Sequence, residues 1–339
     1  MKYFALKNPL KVTRTPMGLV GQYKTKVPAD PKKLRDANYA PLTEDKLLKA
    51  WFPALKKDDK KVIVVITAHD DDLIAFSGSI AKLAKERNAE VHHLILTDGS
   101  MGCGEEFMRM VCPAKELARL TKALVVDKCP KKDPGYHVIG NTKALNEYAE
   151  VLRKAGQKMA EVRETEARDA EKILGWQHTY FLGFQDTALE QHNFGITPYY
   201  NIGAMAVGLR LVRDINPDLI ILQDRNQTVD FNPDHYASGR IGYAIYHHLH
   251  CPVLGVDGME KPFKALIHRG FEGIGRPEFR FCDYLVELDD TYLGIKRDSL
   301  FAYKSQIELV EGLFTVSEME SKFRIEGFFD VEAAPARLY

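Results

Sequence analysis

The sequence predicts an α/β fold with a mainly parallel sheet. Short apolar runs of strand length alternate along the chain with longer segments of helical periodicity. Such alternation needs crossover connections, which are right-handed and leave the joined strands parallel. Polar clusters follow the predicted strands, and parallel sheets bind their ligands beyond the carboxyl ends of the strands. A chain of 339 residues can hold one large domain or two modest ones.

The predicted elements start at residue 62. The first strand covers residues 62–67, which are mostly β-branched and suit a sheet covered on both faces. An amphipathic helical stretch over residues 73–84 and a strand over residues 91–96 come next. Residues 100–142 form a long excursion, which is typical of a functional lid or substrate wall. The later elements are a helix over 143–175, a strand over 180–182, a helix over 201–214, a strand over 219–222 and a helix that begins at Pro233.

The composition argues against several classes of function. Lys+Arg and Asp+Glu are both 47, so the net charge does not favour binding to nucleic acid or to an anionic membrane. No apolar stretch approaches the roughly 20 residues of a membrane span, and the first residues lack the apolar core of a secretion signal. The 5 cysteines are irregularly spaced and fit reduced thiols, although Cys103 to Cys129 could carry a small secondary site. We therefore expect a cytoplasmic protein without an integral membrane segment.

The segment from Ala68 to Asp72, which reads AHDDD, follows the first strand directly. Three carboxylates this close repel one another, so they persist together only if a positive group lies among them. A metal ion is the simplest such group. A solvated acidic turn is the alternative that the segment alone leaves open.

A second histidine completes a candidate metal site. His69 and Asp72 are three residues apart and share one face if a helix begins within the turn. His235 lies on the first turn of a helix that Asn232 caps and Pro233 begins, at the same edge of the sheet. Two imidazoles and one carboxylate with open positions are typical of a catalytic zinc site. The same set suits Fe(II), so one divalent metal is predicted, Zn²⁺ or Fe²⁺.

These motifs, in this order, resemble the PIG-L/LmbE-like metal-dependent de-N-acetylases of N-acetylglucosamine-type sugars. The matching segments are His69 to Asp72, Thr97 to Gly99, Arg163 to Glu166, Leu182 to Asp186, Pro233 to His235, Leu285 to Asp290 and Lys304 to Gln306. The resemblance covers about residues 62–306 and implies a three-layer α/β/α, Rossmann-like fold. We therefore expect an LmbE-like catalytic domain over 56–310, with 100–142 as an insertion, an N-terminal arm or cap over 1–55 and a C-terminal extension over 311–339.

The resemblance also implies the roles of the site residues. His69, Asp72 and His235 would bind the metal, and Asp71 would be the general base that takes a proton from the metal-bound water. The substrate would be a small amino sugar or glycoconjugate from whose nitrogen an acetyl or similar acyl group is removed. Arg163 and two carboxylates at strand ends, Asp98 and Asp186, would grip sugar hydroxyls or orient the ligands.

The chain departs from the family pattern at two positions. Asp70 replaces the usual proline, and we expect this to change little beyond the stiffness of the turn. Asn232 stands where the family has the histidine thought to stabilise the transition state and protonate the leaving amine. An asparagine can donate a hydrogen bond to an oxyanion but cannot deliver a proton. Asp71 could hand its proton to the amine instead, and His192 is a further candidate because of its loop after the third strand.

Two other functions remain open from the sequence. The chain could be a sugar-binding pseudoenzyme that kept the metal but lost proton delivery at position 232. It could also hydrolyse a non-sugar amide or ester, because the 100–142 insertion could reshape the pocket. Aromatic residues near the C-terminus make a homo-oligomer reasonable. His92 and His93 lie inside a strand and are interpreted as structural, and Arg163 with Glu166 could be an ordinary buried pair.

Overall fold

The structure is a computed structural model. It describes residues 1–6, 39–56, 58–101, 115, 119, 142–186, 189–193, 197–224, 232–251, 258–259, 261, 263–268, 282–307 and 323–331. Most of the predicted insertion over 100–142 lies outside these residues, as do Cys103 and Cys129.

Among the described residues, nine strands form one sheet, in the order β2-β1-β10-β11-β9-β8-β3-β4-β5. The five strands from β9 to β5 pair in parallel, and the strands from β2 to β11 extend that core with antiparallel pairs. The strands β6 and β7 pair separately as an antiparallel ribbon. The strands are β1 (Lys2–Leu6), β2 (Tyr39–Leu42), β3 (Lys61–Thr67), β4 (Ala89–Thr97), β5 (His178–Phe184), β6 (Glu190–Asn193), β7 (Thr197–Tyr200), β8 (Leu219–Leu222), β9 (Lys264–His268), β10 (Tyr284–Glu287) and β11 (Ile325–Asp330).

Helices cover both faces of the sheet. Along β3, Ile63 and Val65 face one core and Val64 and Ile66 face the other, as the alternation of a strand requires. The first core includes residues of α1, α2, α3 and α6, and the second includes residues of α4 and α5. The helices are α1 (Glu44–Trp51), α2 (Ser77–Glu86), α3 (Thr142–Leu174), α4 (Ile202–Ile215), α5 (Pro233–His248) and α6 (Asp290–Leu300). The predicted three-layer α/β/α architecture with its large, mainly parallel sheet is confirmed.

The amphipathic stretch over residues 73–84 differs from the single helix that its periodicity predicts. A 3-10 turn covers Asp70–Ala75, and α2 begins only at Ser77. The backbone of Phe76 lies between the two elements with ψ near zero and φ −147°. The apolar side chains still reach the core, because the 3-10 turn and the helix bury the same face.

Segments that the sequence placed outside the main domain contribute to the same sheet. β1 and β2 belong to residues 1–55, and β11 belongs to residues 311–339. Glu326 on β11 accepts hydrogen bonds from the backbone of Gly78 and Ser79 at the start of α2, at 3.0 and 2.8 Å. The C-terminal strand therefore holds the helix that follows the AHDDD turn. The domain boundaries at 55 and 310 stay a prediction.

Two further observations bear on the sequence-based expectations. His93 is buried, and its Nδ1 lies 2.6 Å from Glu171 Oε1 on α3. None of the helices in the described part of the chain is long and apolar enough to cross a membrane.

Candidate metal centre

The AHDDD turn is fastened to the carboxyl ends of β3 and β4. The Thr97 backbone N–H and hydroxyl both donate to the Ala68 carbonyl, at 3.0 and 2.8 Å. The Thr67 hydroxyl donates to the His69 carbonyl at 2.7 Å. His69 then caps the 3-10 turn, and its backbone N–H donates to Asp72 Oδ2 at 2.8 Å. These bonds fix the backbone from which the predicted ligands project.

The local sequence also explains the position of His235. Asn232 is the N-cap of α5, and its Oδ1 accepts a hydrogen bond from the Asp234 N–H at 2.9 Å. Pro233 occupies the first helical position, where its missing N–H costs nothing. His235 therefore lies on the first turn of α5, as the sequence predicts.

The three residues predicted as metal ligands come together. His69 Nδ1 lies 3.0 Å from His235 Nε2, and His235 Nε2 lies 2.8 Å from Asp72 Oδ1. His69 Nδ1 lies 3.7 Å from Asp72 Oδ2. Two imidazole nitrogens and one carboxylate oxygen at these separations fit a divalent cation of the zinc and iron type. Burial raises the pKa of Asp72, but the interactions with His235 and His69 bring it well below its usual value.

The other nitrogen of His69 faces two buried carboxylates. His69 Nε2 lies 3.2 Å from Asp186 Oδ1 and 3.7 Å from Asp234 Oδ2. Burial lowers the pKa of His69, but hydrogen bonds to Asp186, Asp234 and Asp72 raise it well above its usual value. Burial raises the pKa of Asp186, and His69 lowers it to a net value of about 2. The carboxylates on Nε2 favour a proton there, so a bound metal ion would take the place of the proton on Nδ1, the nitrogen that faces Asp72 and His235.

Gln223, the first residue after β8, orients Asp72. Its Nε2 donates to Asp72 Oδ2 at 3.1 Å, and its Oε1 accepts from the Ala68 N–H at 3.0 Å. The Gln223 amide therefore links the carboxylate of Asp72 to the backbone of Ala68, the residue before His69. Oδ1 of Asp72, turned toward His235, remains the oxygen that can bind a cation.

We expect Gln223→Leu to weaken zinc binding by about 10–100-fold, because it removes the donor that orients Asp72. Gln223→Glu is the companion variant, since it keeps an acceptor for the Ala68 N–H but replaces the donor to Asp72 with a carboxylate oxygen that repels it. Competition with a chromophoric chelator measures both affinities. Wild-type affinity in both variants would show that Gln223 does not orient a ligand.

Asp70, Asp71 and Arg163 form a buried ion cluster beside the turn. Arg163 Nε donates to Asp70 Oδ1 at 2.7 Å, Nη2 donates to the same oxygen, and Nη2 also donates to Asp71 Oδ1 at 2.7 Å. The side chains of Arg163 and Asp70 are each 2% exposed, whereas that of Asp71 is 23% exposed. Burial raises the pKa of Asp70 to about 6, although the neighbouring guanidinium lowers it.

This cluster corrects the expectation that Asp70 changes little beyond the stiffness of the turn. Its carboxylate is a buried partner of Arg163, and its carbonyl accepts a hydrogen bond from the Tyr303 hydroxyl at 2.6 Å. Arg163 also approaches the chain so closely that a Cβ added at Gly99, where φ is +61°, would lie 2.9 Å from its Nε. The buried position of Arg163 favours a role in orienting Asp71 over a grip on sugar hydroxyls.

Glu166 has a different partner from the one considered in the sequence. Its carboxylate accepts hydrogen bonds from the Ser305 N–H and hydroxyl, at 2.9 and 2.6 Å. It therefore ties α3 to the 3-10 turn Lys304–Gln306. Glu166 is buried on the apolar face of α3. A buried carboxylate needs hydrogen-bond donors, and Ser305 supplies them.

The remaining predicted residues are placed as follows. Asp98 Oδ1 accepts hydrogen bonds from the Ser100 and Asp186 N–H groups, at 3.0 and 3.1 Å, and so holds two strand-end loops together. Asp186 Oδ2 accepts from the Met101 N–H at 3.0 Å. His192 lies on β6 opposite Pro198, and its side chain lies outside what the structure describes.

Asp234 and Gln223 are site residues that sequence reasoning missed. Asp234 lies between Pro233 and His235 and is 1% exposed. Its Oδ1 also accepts a hydrogen bond from the Leu189 N–H at 3.2 Å. Gln223 directly follows a predicted strand. A polar residue at the carboxyl end of a parallel strand is the signal that could have identified Gln223, and a carboxylate on the first helical turn beside a predicted ligand is the signal for Asp234.

Comparisons with known proteins agree with this geometry. Residues 64–246, just over half of the chain, match the family model described as PIG-L: GlcNAc-PI de-N-acetylase. No curated protein matches the chain in sequence.

A solved structure shows the same fold. The N,N'-diacetylchitobiose deacetylase from Pyrococcus horikoshii is similar with a TM-score of 0.53 and 17% identity, over 85% of this chain and 91% of that chain. A conserved protein from Thermus thermophilus has a TM-score of 0.48 and 19% identity, over 80% of this chain and 95% of that chain. At such identities the likeness concerns the fold alone, and the first structure carries it. The family match and its position over the AHDDD and PDH motifs show that this chain belongs to the PIG-L family of GlcNAc-PI de-N-acetylase-like proteins.

Proposed function

We propose that the protein is a metal-dependent hydrolase that removes an N-acetyl or similar N-acyl group from an amino sugar or glycoconjugate. The observation that carries the proposal is the convergence of His69 Nδ1, Asp72 Oδ1 and His235 Nε2 beside the partly exposed Asp71. Membership of the family supports an N-acetylated, sugar-like substrate.

His69, Asp72 and His235 would hold one divalent ion, Zn²⁺ or Fe²⁺. When bound, such an ion lowers the pKa of water toward neutrality and polarises an amide carbonyl. With the ion on Nδ1, Asp186 and Asp234 would accept the remaining proton of His69 on Nε2, and the hydrogen bond from Gln223 to Asp72 Oδ2 leaves Oδ1 turned toward His235. These residues set the geometry of the ligands.

Asp71 is the proposed general base. Arg163 fixes its Oδ1, and the exposed part of the carboxylate can take a proton from the water that attacks the acyl carbon. The protonated carboxyl can then pass this proton to the departing amine nitrogen. One residue would thus perform both transfers, in place of the histidine that the family pattern has at position 232; His192 stays the alternative donor to the amine.

Asn232 is the proposed donor to the oxyanion of the tetrahedral intermediate. Its Oδ1 is committed to the Asp234 N–H, so its Nδ2 group carries the donor capacity of the side chain. A neutral amide N–H can stabilise a developing oxyanion by hydrogen bonding.

The test is release of acetate and free amine from a panel of N-acetylated amino sugars, glycoconjugates, non-sugar amides and esters, with zinc-loaded or iron-loaded protein. We expect turnover of the amino-sugar substrates, lost in Asp72→Ala together with the metal. If the protein turned over only non-sugar amides or esters, the proposed substrate class would be wrong. Full activity in metal-free Asp72→Ala protein would refute the metal-dependent mechanism.

A sugar-binding pseudoenzyme is the second candidate, because Asn232 serves the helix as its cap and cannot deliver a proton. Asn232→His distinguishes the two functions. A loss of rate would show that Asn232 belongs to a working site, whereas a large gain from near zero would favour the pseudoenzyme. Cytoplasmic location and homo-oligomer formation stay predictions.

A further inference from the structure

A second cluster of potential metal ligands lies at the opposite end of the sheet. Glu90 and His92 are two residues apart on β4 and share a face, and His178 is the register partner of His92 on β5. His92 Nε2 and His178 Nε2 lie 3.1 and 3.0 Å from the same oxygen, Glu90 Oε1. The two imidazole rings stack with centroids 4.4 Å apart.

The Tyr180 hydroxyl orients the imidazole of His92. His92 Nδ1 lies 3.2 Å from the Tyr180 hydroxyl. That oxygen can accept the Nδ1 proton and leave Nε2 as the ligand atom, the arrangement that orients histidines around metals.

We propose that Glu90, His92 and His178 form a second divalent-metal site, of the kind that binds Zn²⁺. One oxygen of Glu90 and the two Nε2 atoms lie within 4.8 Å of one another, so small side-chain rotations would bring them around one ion. Two imidazoles and one carboxylate are a ligand set that zinc accepts. The site would lie about 15 Å from the AHDDD turn, because β4 rises about 3.3 Å per residue between them.

A bound ion would clip β4 to β5, the last strand of the described sheet order. The His178 side chain is 43% exposed, so an ion can enter without disturbing the core. Lys60 contacts the other oxygen of Glu90 and is 61% exposed. Its charge competes with a cation, and its exposed side chain can swing away when the cation binds.

The experiment counts zinc bound by the metal-free, full-length protein in equilibrium dialysis. We expect about two equivalents in the wild type, one in His178→Gln and one in Asp72→Asn. His248→Gln is the matched control, because His248 is an exposed histidine of α5 outside both clusters, and it should keep two. Thermal melting without zinc checks that the variants fold alike.

Lys60→Met gives a result in the opposite direction. This variant should lower the dissociation constant for zinc at the Glu90–His92–His178 site by about fivefold, because it removes a competing charge from a partly exposed pair. Unchanged or weaker binding would contradict Glu90 as a ligand. A wild type that binds one equivalent, lost in Asp72→Asn and kept in His178→Gln, would overturn the second site and leave the proposed hydrolase site intact.

Discussion

Replacing Asp71 with asparagine should lower kcat for deacetylation by about 10²–10⁴-fold, the contribution of a positioned general base. Asparagine has nearly the same shape and can still accept the hydrogen bond from Arg163 Nη2 that Asp71 Oδ1 accepts. It cannot take a proton from water or return one to the amine. Initial rates of acetate release at saturating substrate measure the effect.

Metal content separates the role of Asp71 from that of its neighbours. Asp71→Asn should keep the metal of the wild type, because the converging donors belong to His69, Asp72 and His235. Asp214→Asn, an exposed carboxylate on α4, is the control and should keep the full rate. Loss of the metal together with the rate would make Asp71 a ligand, and an unchanged rate would remove it from the mechanism.

The parallel core was predictable because its signals are local. The strand β8 has the predicted limits, β3 begins one residue earlier than predicted, and β4 and β5 extend one or two residues further at both ends. β3, β4 and β8 are apolar runs buried on both faces, and β5 is a short, partly buried apolar run, so a few adjacent residues determine each assignment. The antiparallel strands gave no such local signal, and there only the family resemblance over Leu285 to Asp290 indicated a strand. β1 pairs with β10 across nearly the whole chain, as Lys2 opposite Glu287, and β11 carries the polar Glu326 in its buried interior.

The candidate site likewise has a part that local motifs predict and a part that depends on tertiary contacts. His69, Asp72 and His235 stand in short motifs at strand or helix ends, so their convergence follows from the topology of a parallel sheet. The interactions that orient them depend on tertiary contacts. Gln223 reaches Asp72 across 151 positions of the chain, and Arg163 reaches Asp70 across 93. The sequence position of Asp70 indicated a turn residue, and only the approach of α3 makes its carboxylate a buried ion partner.

Replacing Arg163 with methionine should lower the free energy of unfolding by about 3–5 kcal/mol, because breaking a buried ion pair leaves an uncompensated charge. Methionine fills much of the space but leaves the buried Asp70 carboxylate without its guanidinium partner. Burial already raises the pKa of Asp70 to about 6 with Arg163 present, which shows how strongly the site disfavours an unpaired charge. Urea denaturation of metal-free protein, followed by circular dichroism, measures the change.

A double-mutant cycle assigns that loss to the ion cluster. Arg163→Met combined with Asp70→Asn should be less destabilising than the sum of the single variants, because the second change removes the stranded charge. Arg168→Met is the control on the same helix, since Arg168 and its partner Glu164 are about half exposed and should contribute about 0–1 kcal/mol. Additive effects, or equal losses at positions 163 and 168, would show that the cluster does not stabilise the fold through its charges. A coupling confined to Arg163 and Asp70 would show that Asp70, which replaces the family's proline, helps to hold the guanidinium that contacts Asp71.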